Sequence, residues 1–267
     1  MNPLPDLGFP SQIGGLDLHA VIRCGSTGSV HAAIDPQTGK TVVVKLLHRP
    51  PAMVVHDVVF NHPNIVQIFD HGCERGQHYV VMEYAPEGSL KGRLRSLQNL
   101  DTDTALSWIR QVLLALDHLH SYGMLHRDIK PDNLLFFPDD RLKVSDLGLM
   151  CPMRGSPPAP MGTPGFMSPE QIMGLPLDPR SDLFSLGVVF YRMVTGRFPF
   201  SGSSVSARLN ATLLSSPPWP SHLQSTLSRS ISQVIMCAIS KRPSQRFADA
   251  KKFLMAIDEI GNAVMVK

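Results

Sequence analysis

The chain has 267 residues, 43% of them hydrophobic and 18% charged, with a formal net charge of +3. That length suits one two-lobed unit or two small domains, and the apolar fraction can fill a sizeable core. The mild positive balance, with no dense Lys/Arg stripe, argues against nucleic acid as a partner.

The four cysteines, Cys24, Cys73, Cys151 and Cys237, lie far apart without a C-x-x-C pair, so they read as reduced thiols and predict a cytoplasmic protein. Met1 to Pro10 lacks the basic-then-apolar pattern of a signal peptide. No apolar run reaches the ~18 residues a membrane helix needs. Eleven histidines occur without an H-E-x-x-H pair, and no zinc site is expected.

After an N-terminal extension set at residues 1–17, the chain reads as strands. Leu18–Ile22 and Ser29–Ala33 flank a glycine-containing turn, Arg23-Cys24-Gly25-Ser26-Thr27-Gly28-Ser29-Val30. Asp35-Pro36-Gln37-Thr38-Gly39 predicts a hairpin turn, and the β-branched run Thr41–Lys45 a strand ending in a lysine. Ile65–Phe69 and His78–Met82 are two more strands. Ala85-Pro86-Glu87-Gly88-Ser89 is a polar, Gly/Pro-containing joint, placing a first lobe at about 18–84 and a second at about 89–258. Beyond it Leu106, Ile109, Leu113, Leu116 and His120 fall at helical spacing, as do Phe253, Ile257 and Ile260. Two stretches lack periodicity and read as surface loops, Met150 to Pro164 and the Ser-rich 201–232, and residues 259–267 read as a tail. Strands first and helices later give an α+β chain.

The most specific segment is His126-Arg127-Asp128-Ile129-Lys130-Pro131-Asp132-Asn133, followed by Asp146-Leu147-Gly148. Phosphoryl transfer needs a carboxylate to orient a hydroxyl, a cation near the moving phosphoryl group, and oxygen ligands for Mg²⁺. Asp128, Lys130, Asn133 and Asp146 supply these in order.

The run resembles the catalytic loop of the protein kinases, and the triplet their D-F-G with Leu for Phe. The resemblance covers roughly residues 18–258. Val42-Val43-Val44-Lys45 is similar to the family's V-A-I-K, and the glycine turn to its G-x-G-x-x-G-x-V, with Arg23 in place of the first glycine. Gly162-Thr163-Pro164-Gly165-Phe166-Met167-Ser168-Pro169-Glu170 resembles the segment ending in A-P-E, with Ser168 for Ala. These details, with Arg180 to Gly187, look most like the bacterial Hanks-type Ser/Thr kinases.

The resemblance implies a bilobal fold, with a small β-rich lobe, a larger and mainly helical lobe, and ATP between them. Gly25 and Gly28 would close over the phosphates, Lys45 would contact the α and β phosphates, and Val30 would cover the adenine. Met82 falls at the gatekeeper, and Glu83 and Ala85 at the hinge whose main chain bonds adenine. Asp128 would orient the acceptor hydroxyl, Lys130 would neutralise γ-phosphate charge, and Asn133 and Asp146 would hold Mg²⁺. Thr163 would bond Asp128 and Lys130, Asp182 the catalytic-loop backbone, and Glu170 would pair with Arg246. As a helix N-cap, Ser181 or Asp182 would serve equally well. The implied activity is transfer of the γ-phosphate of ATP to Ser or Thr hydroxyls of protein substrates. Oligomeric state and substrate identity are not encoded in these motifs.

One departure stands out. Aligned on His62-Pro63-Asn64-Ile65-Val66, Met53 occupies the place of the Glu that pairs with the strand lysine in the family. Between Lys45 and Asn61 the one acid is Asp57, and Pro50-Pro51 forbid an earlier helix start. Three readings stand open: Asp57 substitutes, Lys45 leans on Asp146, or the enzyme is crippled. The last is a pseudokinase or scaffold; a small-molecule kinase is a further rival. Arg127 falls where the family receives a phosphorylated residue, yet from Leu149 to Gly162 the one hydroxyl is Ser156, so weak dependence on phosphorylation is expected.

Overall fold

A computed structural model describes residues 10–25, 27–48, 50, 61–96, 100–147, 150–153 and 161–265, with side chains described to residue 261. The chain divides into two compact units, Met1–Asn61 with Ile65–Pro86, and His62–Asn64 with Glu87–Lys267.

Among its described residues, the first unit is one antiparallel sheet. Its strands are β1 (Gln12–Ile13), β2 (Leu16–Gly25), β3 (Gly28–Ile34), β4 (Thr41–Leu47), β5 (Ile68–Glu74) and β6 (Gln77–Glu83), in the order β1-β2-β3-β4-β6-β5. Alternation sends Val42, Val44 and Leu46 of β4 to one face, where they pack with Ile13, Leu16, Leu18, Ala33, Val81 and Tyr79. Ile13 and Leu16 belong to this core, so the sheet begins within the segment 1–17. The hairpin turn forms as predicted, with Asp35 accepting from the Gln37 N–H at 2.9 Å and the Thr38 hydroxyl at 2.6 Å.

β5 starts later than the predicted Ile65–Phe69. Ile65 and Val66 are buried but precede the strand. The ladder with β6 begins at Ile68↔Met82. Just before it, Glu83 closes the pairing with its side chain: its N–H donates to the Gln67 carbonyl (3.0 Å) and its carboxylate accepts from the Gln67 N–H (2.6 Å).

The second unit is helical, with small two-stranded ladders. After α1 (Leu90–Ser96), α2 (Thr102–Ser121) starts at an Asp101 cap that accepts from the Thr104 N–H at 2.9 Å. It buries Leu106, Ile109, Leu113 and Leu116, the periodic set read from the sequence. β7 (Met124–Leu125) pairs with β10 (Cys151–Pro152), and β8 (Leu134–Phe137) with β9 (Arg141–Val144). Then come α3 (Pro169–Met173) and α4 (Pro179–Thr195), whose buried residues include Leu183, Phe184, Leu186, Val188 and Phe190. A Cβ on Gly187 of α4 would lie 2.7 Å from the Ala238 Cβ of α7 (Arg229–Ala238), so glycine lets these helices approach.

The stretch 201–232, expected as loop, holds α5 (Val205–Leu214), α6 (Pro220–Leu223) and the start of α7. Its Ser and Pro residues cap helices rather than break them. Ser204 accepts from the Ala207 N–H (3.0 Å), Ser228 from the Ile231 N–H (3.2 Å), and Pro220 sits at the first position of α6. α8 runs Ala250–Met265, so the helix continues into the segment 259–267, where Ile260 is buried. Among the described residues no helix is long and apolar enough to cross a membrane.

Candidate active site

In the second unit, α2 ends at Tyr122 and Gly123, the latter at φ 70°, and β7 delivers the chain to His126. Arg127 then takes φ 70° and Asp146 φ 63°, left-handed values that are costly for side chains with a Cβ.

The loop is held from several sides. Asp182, near the start of α4, accepts from the main-chain N–H groups of His126 (2.9 Å) and Arg127 (2.8 Å), and its carboxylate is 2.9 Å from His120 Nε2. It does not cap its own helix; Asp178 does. Burial pushes the Asp182 carboxyl up, but the His120 bond, the charges of His120 and His126, and the His126 N–H outweigh it and hold the group below its usual value. His126 accepts the Asp128 N–H at Nδ1 (3.2 Å), so its Nε2–H donates to the Ser145 carbonyl (2.9 Å). Gln171 of α3 donates to the Arg127 carbonyl at 2.8 Å.

These contacts present the Asp128 carboxylate. It accepts from Lys130 Nζ (2.5 Å), the Thr163 hydroxyl (2.7 Å) and Asn133 Nδ2 (3.1 Å); Lys130 Nζ also lies 2.6 Å from Thr163 Oγ1. Asn133 Nδ2 also meets the Asp128 carbonyl at 2.9 Å, which turns the amide oxygen away from Asp128. Ser145 donates to the Asn133 carbonyl from its N–H (2.8 Å) and hydroxyl (3.0 Å). That tie sets Asp146, the next residue, beside the Asn133 turn. An amide oxygen and a carboxylate are oxygen donors of the kind Mg²⁺ takes.

Sequence reasoning grouped Asp128, Lys130, Asn133, Thr163 and Asp182, and the structure brings these together. It missed Ser145, and it read His120 only as one of the residues at helical spacing. The signal for His120 is its place in the last turn of α2, six residues before His126.

The first unit carries the other expected residues. Gly25 pairs with Gly28 across the β2–β3 turn. A Cβ on Gly28, at φ +153°, would fall 1.9 Å from the Leu46 carbonyl oxygen, so this backbone approach admits glycine alone. Val30 sits opposite Lys45, which places the two side chains on one face, and Lys45 is buried. The N–H and carboxylate of Glu83 are both spent on Gln67, so its hinge reading rests on the carbonyl, two residues before the half-buried Ala85. Ser26, Met53, Asp57, Gly148 and Ser156 lie outside the described residues.

Residues 17–256 match the protein kinase domain model. The chain belongs to the protein kinase family. It is 32% identical over 88% of its length to the serine/threonine-protein kinase Pkn1 of Myxococcus xanthus, covering 38% of that protein. It is 30% identical over 90% of its length to a probable serine/threonine-protein kinase of Clostridium acetobutylicum, covering 38%. With PknA of Mycobacterium tuberculosis it shares 30% over 91% of the chain and 61% of the relative. This kinase domain thus spans between about two fifths and three fifths of the length of these curated relatives. The family brings ATP and a divalent metal in general terms. The kinase's buried ion pair is present too: Arg246 donates to Glu170 at 2.6 and 2.8 Å.

Proposed function

We propose that the chain is a serine/threonine protein kinase that transfers the γ-phosphate of ATP to Ser or Thr hydroxyls of protein substrates. The carrying observation is the Asp128 carboxylate, aimed by Lys130, Thr163 and Asn133 at once. A carboxylate so held orients the acceptor hydroxyl and takes its proton as the phosphoryl group departs. Lys130 offers a charge to the γ-phosphate. Thr163 narrows the acceptor side to a Ser or Thr hydroxyl. Asn133 and Asp146 would hold Mg²⁺, which screens the phosphate charge when bound. In the first unit, Lys45 contacts the α and β phosphates, Gly25 and Gly28 close over them, Val30 covers the base, and Glu83 and Ala85 meet its edge. Four free thiols fit a reducing, cytoplasmic setting.

The missing helix Glu does not reverse this reading. One charge-assisted contact that orients a phosphate ligand is worth ~1.5–3 kcal/mol, or roughly ten- to a hundredfold in rate. That slows a kinase without abolishing it. The test is ATP/Mg²⁺ phosphorylation of generic protein substrates, with Asp128→Asn as control. Transfer by the wild type that the variant lacks supports the reading; equal signals from both sink it.

A further inference from the structure

One cluster in the second unit has no part in the chemistry described above. Arg192, in the last turn of α4, and Arg208, on α5, both stack on Phe198, with guanidinium carbons 4.6 and 5.2 Å from the ring centroid. Phe198 is braced edge-on by Phe166 at 5.4 Å. Among the described residues neither arginine has a carboxylate within ion-pair distance, and Arg208 Nε is shielded from solvent with no hydrogen-bond partner. Arg192 loses some of its affinity for a proton through burial; Asp132 opposes this, while Arg95 and Arg208 add like charge. Asp132 is already bonded to Lys91 Nζ at 2.7 Å. The local balance is therefore positive and incompletely answered.

Its position gives the charge a use. A Cβ on Gly165 would stand 3.0 Å from Arg208 Cδ and 3.4 Å from Phe198 Cε1, so the cluster packs directly on the segment two residues after Thr163. Asp132, the carboxylate that Arg192 feels, immediately precedes Asn133. The arginines thus border both chain segments that build the Asp128 site. A guanidinium lying on an aromatic face keeps its N–H edge for an anion, and that edge matches carboxylate or phosphate.

We propose that Arg192 and Arg208 select acceptor peptides carrying an anionic side chain, carboxylate or phosphate, close to the Ser or Thr. This rests on the kinase reading above and adds the substrate class. The competing role, in which the arginines only brace Phe198, predicts no dependence on peptide charge.

The test uses matched peptides with one Thr, whose neighbours are Ala, Glu, Arg or phosphoserine, placed at one flanking position at a time. The expected result is kcat/KM about tenfold higher for Glu than for Ala at one position or more, carried by KM, with Arg below Ala. The ratio of Glu to Ala should fall toward one in Arg192→Gln/Arg208→Gln and with added salt. A gain for phosphoserine alone assigns the anion as phosphate and also supports the proposal. Equal kcat/KM for all four wild-type peptides, or a preference for Arg, overturns it while leaving the kinase reading intact, and this comparison needs no variant to fold. A Glu preference that survives unchanged in the double variant also overturns it. No transfer to any peptide or protein, with Asp128→Asn indistinguishable from wild type, removes both.

Discussion

Arg246→Ala is the most searching test of the fold. Arg246 is fully buried and forks onto Glu170 at 2.6 and 2.8 Å, and its remaining N–H bonds reach the carbonyls of Ser240 (2.7 Å), Arg180 (2.9 Å) and Lys241 (3.0 Å). Truncation strands a carboxylate at 6% side-chain exposure, leaving it the Ser181 hydroxyl at 2.7 Å. Breaking such a pair from one side costs ~3–5 kcal/mol. For a unit of this size that is roughly 6–20 °C in melting temperature, at about 2–4 °C per kcal/mol. Both tryptophans, Trp108 and Trp219, lie in the second unit, so their fluorescence follows its unfolding. The pH dependence adds a check. Burial raises the Glu170 carboxyl, but the bonds and charge of Arg246, with Ser181, carry it below its ordinary 4.5. A depressed folded value means this stabilisation is complete above 4.5 and fades as pH falls through the folded value. The gap between wild type and Arg246→Ala should thus be widest near neutrality and shrink below 4.5. A melting temperature within about 2 °C of wild type at pH 7 would show that the Glu170–Arg246 pair does not hold the fold in this way.

Thr163→Ala should lower kcat by roughly tenfold, because Asp128 and Lys130 both lose the hydroxyl that spans them, while Thr163→Ser should retain most activity; steady-state kinetics on a protein substrate decide it. Lys241 donates to the Thr212 carbonyl at 2.5 Å, and burial lowers its ammonium to about 8, so the folded state binds fewer protons than the unfolded between about 8 and 10.5. Stability of the wild type relative to Lys241→Met should therefore rise with pH across that window, and a flat difference in urea midpoints would count against it. Met53→Glu should leave activity similar or raise it, and a collapse with the melting temperature preserved would count against the alignment that places Met53 at the helix position.

The sequence made the chemistry legible where functional side chains sit within a few positions of one another. Asp128, Lys130 and Asn133 share one loop, and Thr163 and Glu170 one segment. It was less informative where a residue type serves two purposes. Serines and prolines between 201 and 232 break patterns when counted, yet Ser204, Ser228 and Pro220 start helices, because an unpaired helix N-terminus needs an acceptor side chain or a residue lacking an N–H. Ser168 is similar. It looks like a mild change from the usual Ala, yet it caps α3 in a reciprocal pair: its hydroxyl accepts from the Gln171 N–H at 3.3 Å, and its own N–H donates to Gln171 Oε1 at 3.0 Å. Ser145 could not be found from pattern, since its function is a hydrogen bond to a main-chain carbonyl that any sequence possesses.

The left-handed Arg127 and Asp146 explain why so much of the second unit converges on this loop. Such conformations cost ~1–3 kcal/mol each and persist only where the surroundings over-determine them. Arg127 is fixed at both ends, its N–H on Asp182 of α4 and its carbonyl on Gln171 of α3. Asp146 follows Ser145, which is fixed by Asn133 on one side and His126 on the other. Every one of these anchors is buried, so water cannot compete for the bonds. Because Gln171 also reaches the Met161 carbonyl at 3.3 Å, the segment leading to Thr163 shares an anchor with the loop carrying Asp128. A shift of α3 would therefore move both partners of the Thr163–Asp128 bond, and the Gln171 amide adds a second tie between the acceptor side of the site and its chemistry.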